Sequence, residues 1–165
     1  MDVPAYDDYT DYTFFLTGHL SHWNRAYFTV DGQAYCNAEQ YMMLAKAQLF
    51  GDEQIAEKIA GTTDPAEHKR LGRAVRGFDP EVWERHKVSI VYEGNKAKYE
   101  QNEGLRRRLF DTAGTLLVEV NPHDIVWGIG LSEKDKDRFH RSKWRGENLL
   151  GRILTLIRDQ MQAEQ

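Results

Sequence analysis

The stretch from Asn37 to Phe50, NAEQYMMLAKAQLF, decides how the chain is read. Wound as a helix at about 100° per residue, it spreads Tyr41, Met42, Met43, Leu44, Ala45, Ala47, Leu49 and Phe50 around the whole circumference. A helix that is apolar all round belongs in an interior. Yet it carries Glu39 and Lys46, seven positions and so about two turns apart, which project from nearly the same face beside Met43 and Phe50. Buried charges are costly unless paired or put to chemical use. This helix is therefore both a core element and the seat of a candidate site.

Outward from it, Asn37 is positioned as an N-cap. Upstream, YTFFL and AYFTVDGQAYC are aromatic and β-branched, and Asp31-Gly32 supplies a turn, so they read as short strands or a hairpin. Downstream, DEQIAEKIAG reads as a short amphipathic helix ending at Gly61. Asp64-Pro65 and Asp79-Pro80 each place a cap before a proline at the first helical position. The first opens a helix that stops near Gly77; the second opens a long helix with Val82, Val88, Val91 and Tyr92 toward a core. EGLRRRLFDTAG continues as helix, TLLVEV as strand, and HDIVWGIGL as a strand running into a glycine-containing turn. ENLLGRILTLIRDQM closes the chain with strong helical periodicity. The pattern predicts an α+β fold, predominantly helical with a small sheet, as a flexible tail over 1–11 and a single domain over 12–165.

At 165 residues the chain is long enough for a proper core. Its 41% hydrophobic and 29% charged residues match an ordinary soluble globular protein. There is no apolar run of about 18 residues to span a bilayer, and the start, MDVPAYDDYTDY, is the opposite of a secretory signal. A cytoplasmic protein without a membrane partner is expected. The single cysteine, Cys36, rules out an intrachain disulfide and any multi-cysteine zinc site, and reads as a small buried residue. Phosphate-binding P-loops, dinucleotide fingerprints and nucleophile elbows are absent. WGIG is a tight turn on its own evidence, and the six histidines lack metal-binding spacing. Neither a metal nor an organic cofactor is expected. The net charge of −4 argues against a general nucleic-acid trap. Two basic clusters, Arg106–Arg108 and Lys134–Arg145, are either solvated faces or local phosphate sites.

Taken together, HLSHW, FTVDGQAYCNAEQYMMLAKA, LGRAVRGFDPEVWERHK, KYEQNEGLRRRLFDTAGTLLVEVNPHDIVWGIG and WRGENLLGRILTLIRDQM resemble the NADAR superfamily, the YbiA-like N-glycosidases, over residues 14–161. The usual first-helix pattern, Glu-His-Tyr-Phe-Gln-x-x-Lys, reads here as Glu39-Gln40-Tyr41-Met42-Met43 and reaches Lys46. His22 stands where members commonly have asparagine. The resemblance implies hydrolysis of N-glycosidic bonds at ribose C1. Substrates assigned to members include ADP-ribose attached to guanine bases and phosphoribosylamino-pyrimidines of the riboflavin pathway.

Splitting such a bond develops positive charge over C1 and the ring oxygen. A carboxylate beside C1 stabilises that charge and takes the proton of an attacking water, the role that suits Glu39. Lys46, in an apolar wall, has its ammonium form disfavoured. It is then either a nucleophilic amine forming a Schiff base with the opened sugar or a cation holding a hydroxyl or phosphate. The competing reading is a Glu39–Lys46 link that serves only the fold. Asp124 falls in the D-x-x-W-G stretch and either contacts ribose, protonates the departing base, or caps a turn. Trp83 and Trp127 offer faces for a nucleobase or fill the core; Gly128 follows in the same stretch. By resemblance, His22, Trp23 and Asn24 form a loop over the sugar. Arg70 and Arg73 suit phosphate or are simply solvated. Trp144 and Asn148 introduce the last helix, Asn148 as a cap or a sugar contact. The leading expectation is removal of ADP-ribose from guanine in nucleic acid. The riboflavin-pathway phosphoribosyl compounds are the alternative substrate, and a non-catalytic ADP-ribose or nucleotide-binding module is the alternative of another class.

Overall fold

Four helix starts form by the capping chemistry written in the sequence. Asn37 Oδ1 accepts from the Gln40 amide, Asp52 Oδ1 from Ile55, Asp64 from Ala66, and Asp79 from Glu81 and Val82. The computed structural model describes all 165 residues. Its elements, in order, are β1 (Tyr12–Phe15), β2 (Phe28–Val30), β3 (Gln33–Tyr35), α1 (Ala38–Leu49), α2 (Glu53–Ala60), α3 (Pro65–Arg73), α4 (Pro80–Glu100), α5 (Glu103–Phe110), β4 (Leu116–Glu119) and α6 (Leu149–Ala163). Two single 3-10 turns, Lys136–Phe139 and Arg141–Lys143, precede α6. The fold is α+β and mainly helical; the small sheet resolves into two separate strand pairs. No helix is long and apolar enough to cross a membrane. The stretch read as one domain, with the residues before it, divides into two compact units: His22–Glu103, and Met1–Ser21 together with Gly104–Gln165.

In the His22–Glu103 unit, β2 and β3 make an antiparallel hairpin, with Phe28 opposite Tyr35, closed by Asp31 and Gly32 at φ +51° and +79°. The chain then enters α1, which packs against α2, α3 and α4. Neighbours on three sides explain why α1 is apolar all round. Ala38, Met42, Met43, Leu44 and Ala47 are buried on it, together with Glu39 and Gln40. Close approach is made possible by glycine: a Cβ at Gly94 of α4 would run into the Tyr41 ring, and one at Gly72 of α3 into Met43 Sδ. Asp52 adds a polar clamp, since it also accepts from the Arg76 amide (2.8 Å) and guanidinium (3.1 Å).

The other unit is built on β1 and β4, paired in parallel from Tyr12–Leu116 to Phe15–Glu119, with α6 against β4. Leu116, Val118, Val120, Ile129 and Leu131 form its core, flanked by Tyr6, Tyr9, Tyr12, Phe14 and Trp144. The fully buried Arg158 donates to the Thr112 and Thr115 carbonyls at 2.8 and 2.7 Å. Residues 1–11, read as a flexible tail, are tied down here. Arg152 binds the Val3 and Pro4 carbonyls, Arg141 those of Ala5 and Tyr6, and Tyr9 donates to Asp159. The strand expected in HDIVWGIGL does not form. Asp124 Oδ1 accepts from the Val126 and Trp127 amides, and its carbonyl accepts from Gly130, so the backbone folds back on itself.

Replacing Gly94 with alanine places a methyl group against the Tyr41 ring, and is expected to destabilise the protein by about 1–3 kcal/mol, read from the urea midpoint. The Arg76 hydrogen bond holds the Asp52 carboxyl well below the usual carboxylate range. A depressed folded-state value stabilises above the unfolded value, near pH 4, and is lost as the pH falls through the folded one. Melting temperatures of the wild type and Asp52→Asn should therefore differ at pH 7 and converge as the pH is lowered from 4 to 2.

Candidate active site

The site begins in the first turn of α1. The Glu39 amide, which the helix itself leaves unpaired, donates to the His22 carbonyl at 3.1 Å. Glu39 is only 6% exposed, and its Oε2 lies 3.6 Å from His22 Nδ1. On the far side of the imidazole, His22 Nε2 is 3.0 Å from Asn95 Nδ2 on α4, and Asn95 also donates to the Val91 carbonyl. Glu39, His22 and Asn95 thus form a buried polar row. Gln40 secures the same turn: it accepts from the Cys36 amide and donates to the Ile59 and Thr62 carbonyls, which locks the start of α1 to the end of α2.

Two turns along α1, Lys46 is half-buried among aromatic rings, with Nζ 4.6 Å from the Phe78 centroid and 5.6 Å from that of Trp83. Desolvation lowers its pKa, the positive Arg73 lowers it further, and Glu39 acts in the opposite direction. The nearest partners of the two charged groups therefore differ: an imidazole for Glu39 and aromatic faces for Lys46. Phe78, itself 43% exposed and edge-on to Phe50 at 5.3 Å, is a wall residue that the sequence reading missed. Nothing beyond its aromatic character marks it in the sequence.

Of the remaining expected contacts in this unit, Trp83 is half-buried beside Lys46 and Arg73 is close enough to act on its charge. Arg70 is diverted: Nε and Nη2 both bind the exposed Glu67 carboxylate, so its planar fork is occupied. From the 22–24 loop, His22 reaches Glu39. Trp23, 48% exposed, lines a shallow cavity of about 140 Å³ with Arg25, Tyr27, Cys36, Asn37, Thr63 and Pro65. Asn24 bonds locally to the Arg25 carbonyl. Asn95 and Lys98, neither singled out from the sequence, lie one turn apart on α4 and are fully buried. Burial brings the Lys98 pKa down to about 7.

The other unit holds the remaining expected residues, largely in structural roles. Asp124 caps its turn through Oδ1. A Cβ on Gly128 would sit 3.0 Å from the Glu119 carbonyl oxygen. Trp127 is half-buried, its amide on Asp124 and its carbonyl accepting from Leu150. Trp144 donates to the Arg138 carbonyl and packs on Tyr12 at 5.3 Å. Asn148 is neither the expected side-chain cap nor exposed to a sugar. At φ +53° and 1% exposure, it bonds the Glu119 amide and the Leu117 carbonyl, standing in for a strand beside β4. In the basic run Lys134–Arg145, Arg138 lies on Phe139, Arg141 holds residues 5 and 6, and Lys143 pairs with Asp137.

A lowered Lys46 pKa is directly measurable. After reductive 13C-methylation, the Lys46 resonance is expected to titrate below the value of exposed lysines. Phe78→Ala, which admits water, should move it back up; an unchanged midpoint would remove the desolvation argument.

The NADAR domain family matches residues 13–162 of the chain. N-glycosidase R617 of Acanthamoeba polyphaga mimivirus is 45% identical over 128 residues, covering 78% of this chain and 75% of the relative. N-glycosidase YbiA of Escherichia coli is 31% identical over 158 residues, covering 96% and 85% respectively. The NMR structure of that protein superposes with a TM-score of 0.76 at 28% identity, over 94% of this chain and 88% of the other. The chloroplastic riboflavin biosynthesis protein PYRR of Arabidopsis thaliana is 33% identical over 112 residues, 66% of this chain but 17% of its own length. With the match running almost end to end and the fold shared, the chain belongs to the NADAR domain family.

Proposed function

We propose that the protein is an N-glycosidase that hydrolyses the C1–N bond between a phosphorylated ribose and a nitrogen base, its substrate being ADP-ribose attached to guanine in nucleic acid. One observation carries the reading: a buried carboxylate and a desolvated amine lie on one helix, with the amine walled by aromatic rings. The names N-glycosidase R617 and N-glycosidase YbiA support the reaction class.

As the base departs, positive charge spreads over C1 and the ring oxygen, and the Glu39 carboxylate stabilises it and accepts a proton from water. A lysine of lowered pKa has more of its amine free at a given pH than an exposed one. Lys46 Nζ, as the free amine, attacks C1 as the C1–N bond to the base breaks; the base leaves with the electron pair of that bond and takes the proton that Nζ sheds. The nitrogen lone pair then expels the ring oxygen, which takes a proton from water, leaving a protonated Schiff base. Hydroxide or water adds to C1 to release the sugar and regenerate the lysine amine. Trp83 and Phe78 supply faces against which a base or sugar can rest. The PYRR relative favours a second reading, in which the substrates are phosphoribosylamino-pyrimidine intermediates of riboflavin synthesis.

Chromatography of base release from an ADP-ribosylated guanine oligonucleotide, in parallel with the riboflavin-pathway compounds, decides between the two. Release from neither would leave a binding module. Glu39→Gln is expected to lower kcat by about 100-fold or more with a smaller change in KM. Borohydride added during turnover should cross-link sugar to Lys46. Peptide mapping must separate this from Lys98, and an adduct only on Lys98 would reassign the nucleophile.

A further inference from the structure

We infer that His22 is a positioning residue for Glu39: Asn95 fixes its imidazole as the Nδ1–H tautomer, and that N–H orients the carboxylate. The inference rests on the glycosidase reading for the use made of Glu39, but the tautomer stands on hydrogen-bond logic alone.

The chain of constraint starts at a main-chain carbonyl. The Val91 oxygen can only accept, so the Asn95 group that faces it at 2.9 Å is the amide nitrogen, Nδ2. The second hydrogen of that nitrogen serves His22 Nε2, which lies 3.0 Å from Nδ2. Nε2 must therefore offer its lone pair, and in an imidazole the other nitrogen then carries the hydrogen. That nitrogen, Nδ1, points at Glu39 Oε2 across 3.6 Å. This is slightly beyond hydrogen-bond length, a spacing that catalytic pairs show before substrate draws them together.

Two further observations separate this row from an ordinary core contact. His22 meets residue 39 at two points, its carbonyl accepting from the Glu39 amide and its ring standing 3.6 Å from the carboxylate, so both ends of Glu39 face one residue. Asn95 is fully buried with its Oδ1 left without a partner. An amide kept only for packing is an expensive choice at such a position, since an apolar residue would avoid the unsatisfied oxygen. What an apolar residue would not supply is the donor that fixes the imidazole.

Long-range 1H–15N spectra of the intact protein read the tautomer without reference to activity. The expected result is a His22 ring protonated at Nδ1 and bare at Nε2; a ring protonated at Nε2 overturns the inference. Asn95→Asp, nearly identical in size, presents an acceptor in place of the donor and should move the ring proton to Nε2 while kcat falls. His22→Leu fills the space without hydrogen bonds and should lower kcat about 10- to 100-fold with KM little changed. His22→Gln restores one acceptor and one donor, and should recover at least tenfold of that loss. Loss confined to KM, or a glutamine variant no better than leucine, counts against positioning, provided melting temperatures show all variants folded. If Glu39→Gln leaves base release intact, it is the role of Glu39 that fails, while the spectra still judge the row.

Discussion

Everything in the His22–Glu103 unit follows from the burial of α1. A helix with neighbours on three sides gives little of itself to water, Gln48 being its one exposed residue, so the polar groups it buries must be satisfied by the protein. Gln40 meets that demand with three main-chain bonds, and Asn37 with its cap. Glu39 meets it through His22, whose backbone and ring both face residue 39. Glycines at 72 and 94 allow the neighbouring helices to come close enough for this enclosure to close. Burial is therefore the cause of the site rather than its setting: the same packing that excludes water from the core gives the acid and the amine their unusual surroundings.

Those surroundings are of two kinds. Glu39 sits at one end of a row of hydrogen-bonding groups, which orients it. Lys46 is half-buried with the positive Arg73 nearby, and desolvation and that like charge favour its neutral form, against the pull of the ring faces of Phe78 and Trp83 on the ammonium. A reaction that must stabilise a sugar cation and also present a nucleophile requires this division, because an acid and an amine locked to each other would do neither. Distinct neighbours keep the two groups on one helix without joining them in a direct pair.

The Gly104–Gln165 segment, with residues 1–21, shows the opposite use of polar groups. Asn148, Thr155 and Arg158 are buried, and their side chains bond the backbone of β4 and of the turn before it. Asn148 and Thr155 complete a two-stranded pair that has too few strands to satisfy its own edges, and Arg158 closes the turn that leads into it. Asp124 works in the same way within its turn. Polar residues near a motif are thus not all chemistry; several here replace missing strands.

Local chemistry made much of this legible in one dimension. The Asp-Pro helix starts, the Asp31-Gly32 turn and the period of α6 act over a few residues, where the sequence states both partners, and each formed where it was read. Glu39 and Lys46 stood out because a charge in an apolar helix conflicts with its own neighbours. Asn95, Phe78 and Lys98 did not, since their significance lies in partners or surroundings far away in the chain: Asn95 meets His22 from 73 positions off. The alternatives open for Arg70 and Asn148 stayed open in sequence for the matching reason, as nothing there tells a free side chain from one engaged by Glu67 or by β4. The sequence by itself determined which helices form and that the first of them carries an acid and an amine in apolar company. Tertiary structure alone decided which atom faces each of them, because that depends on helices brought together by the burial of apolar surface, a force with no direction of its own.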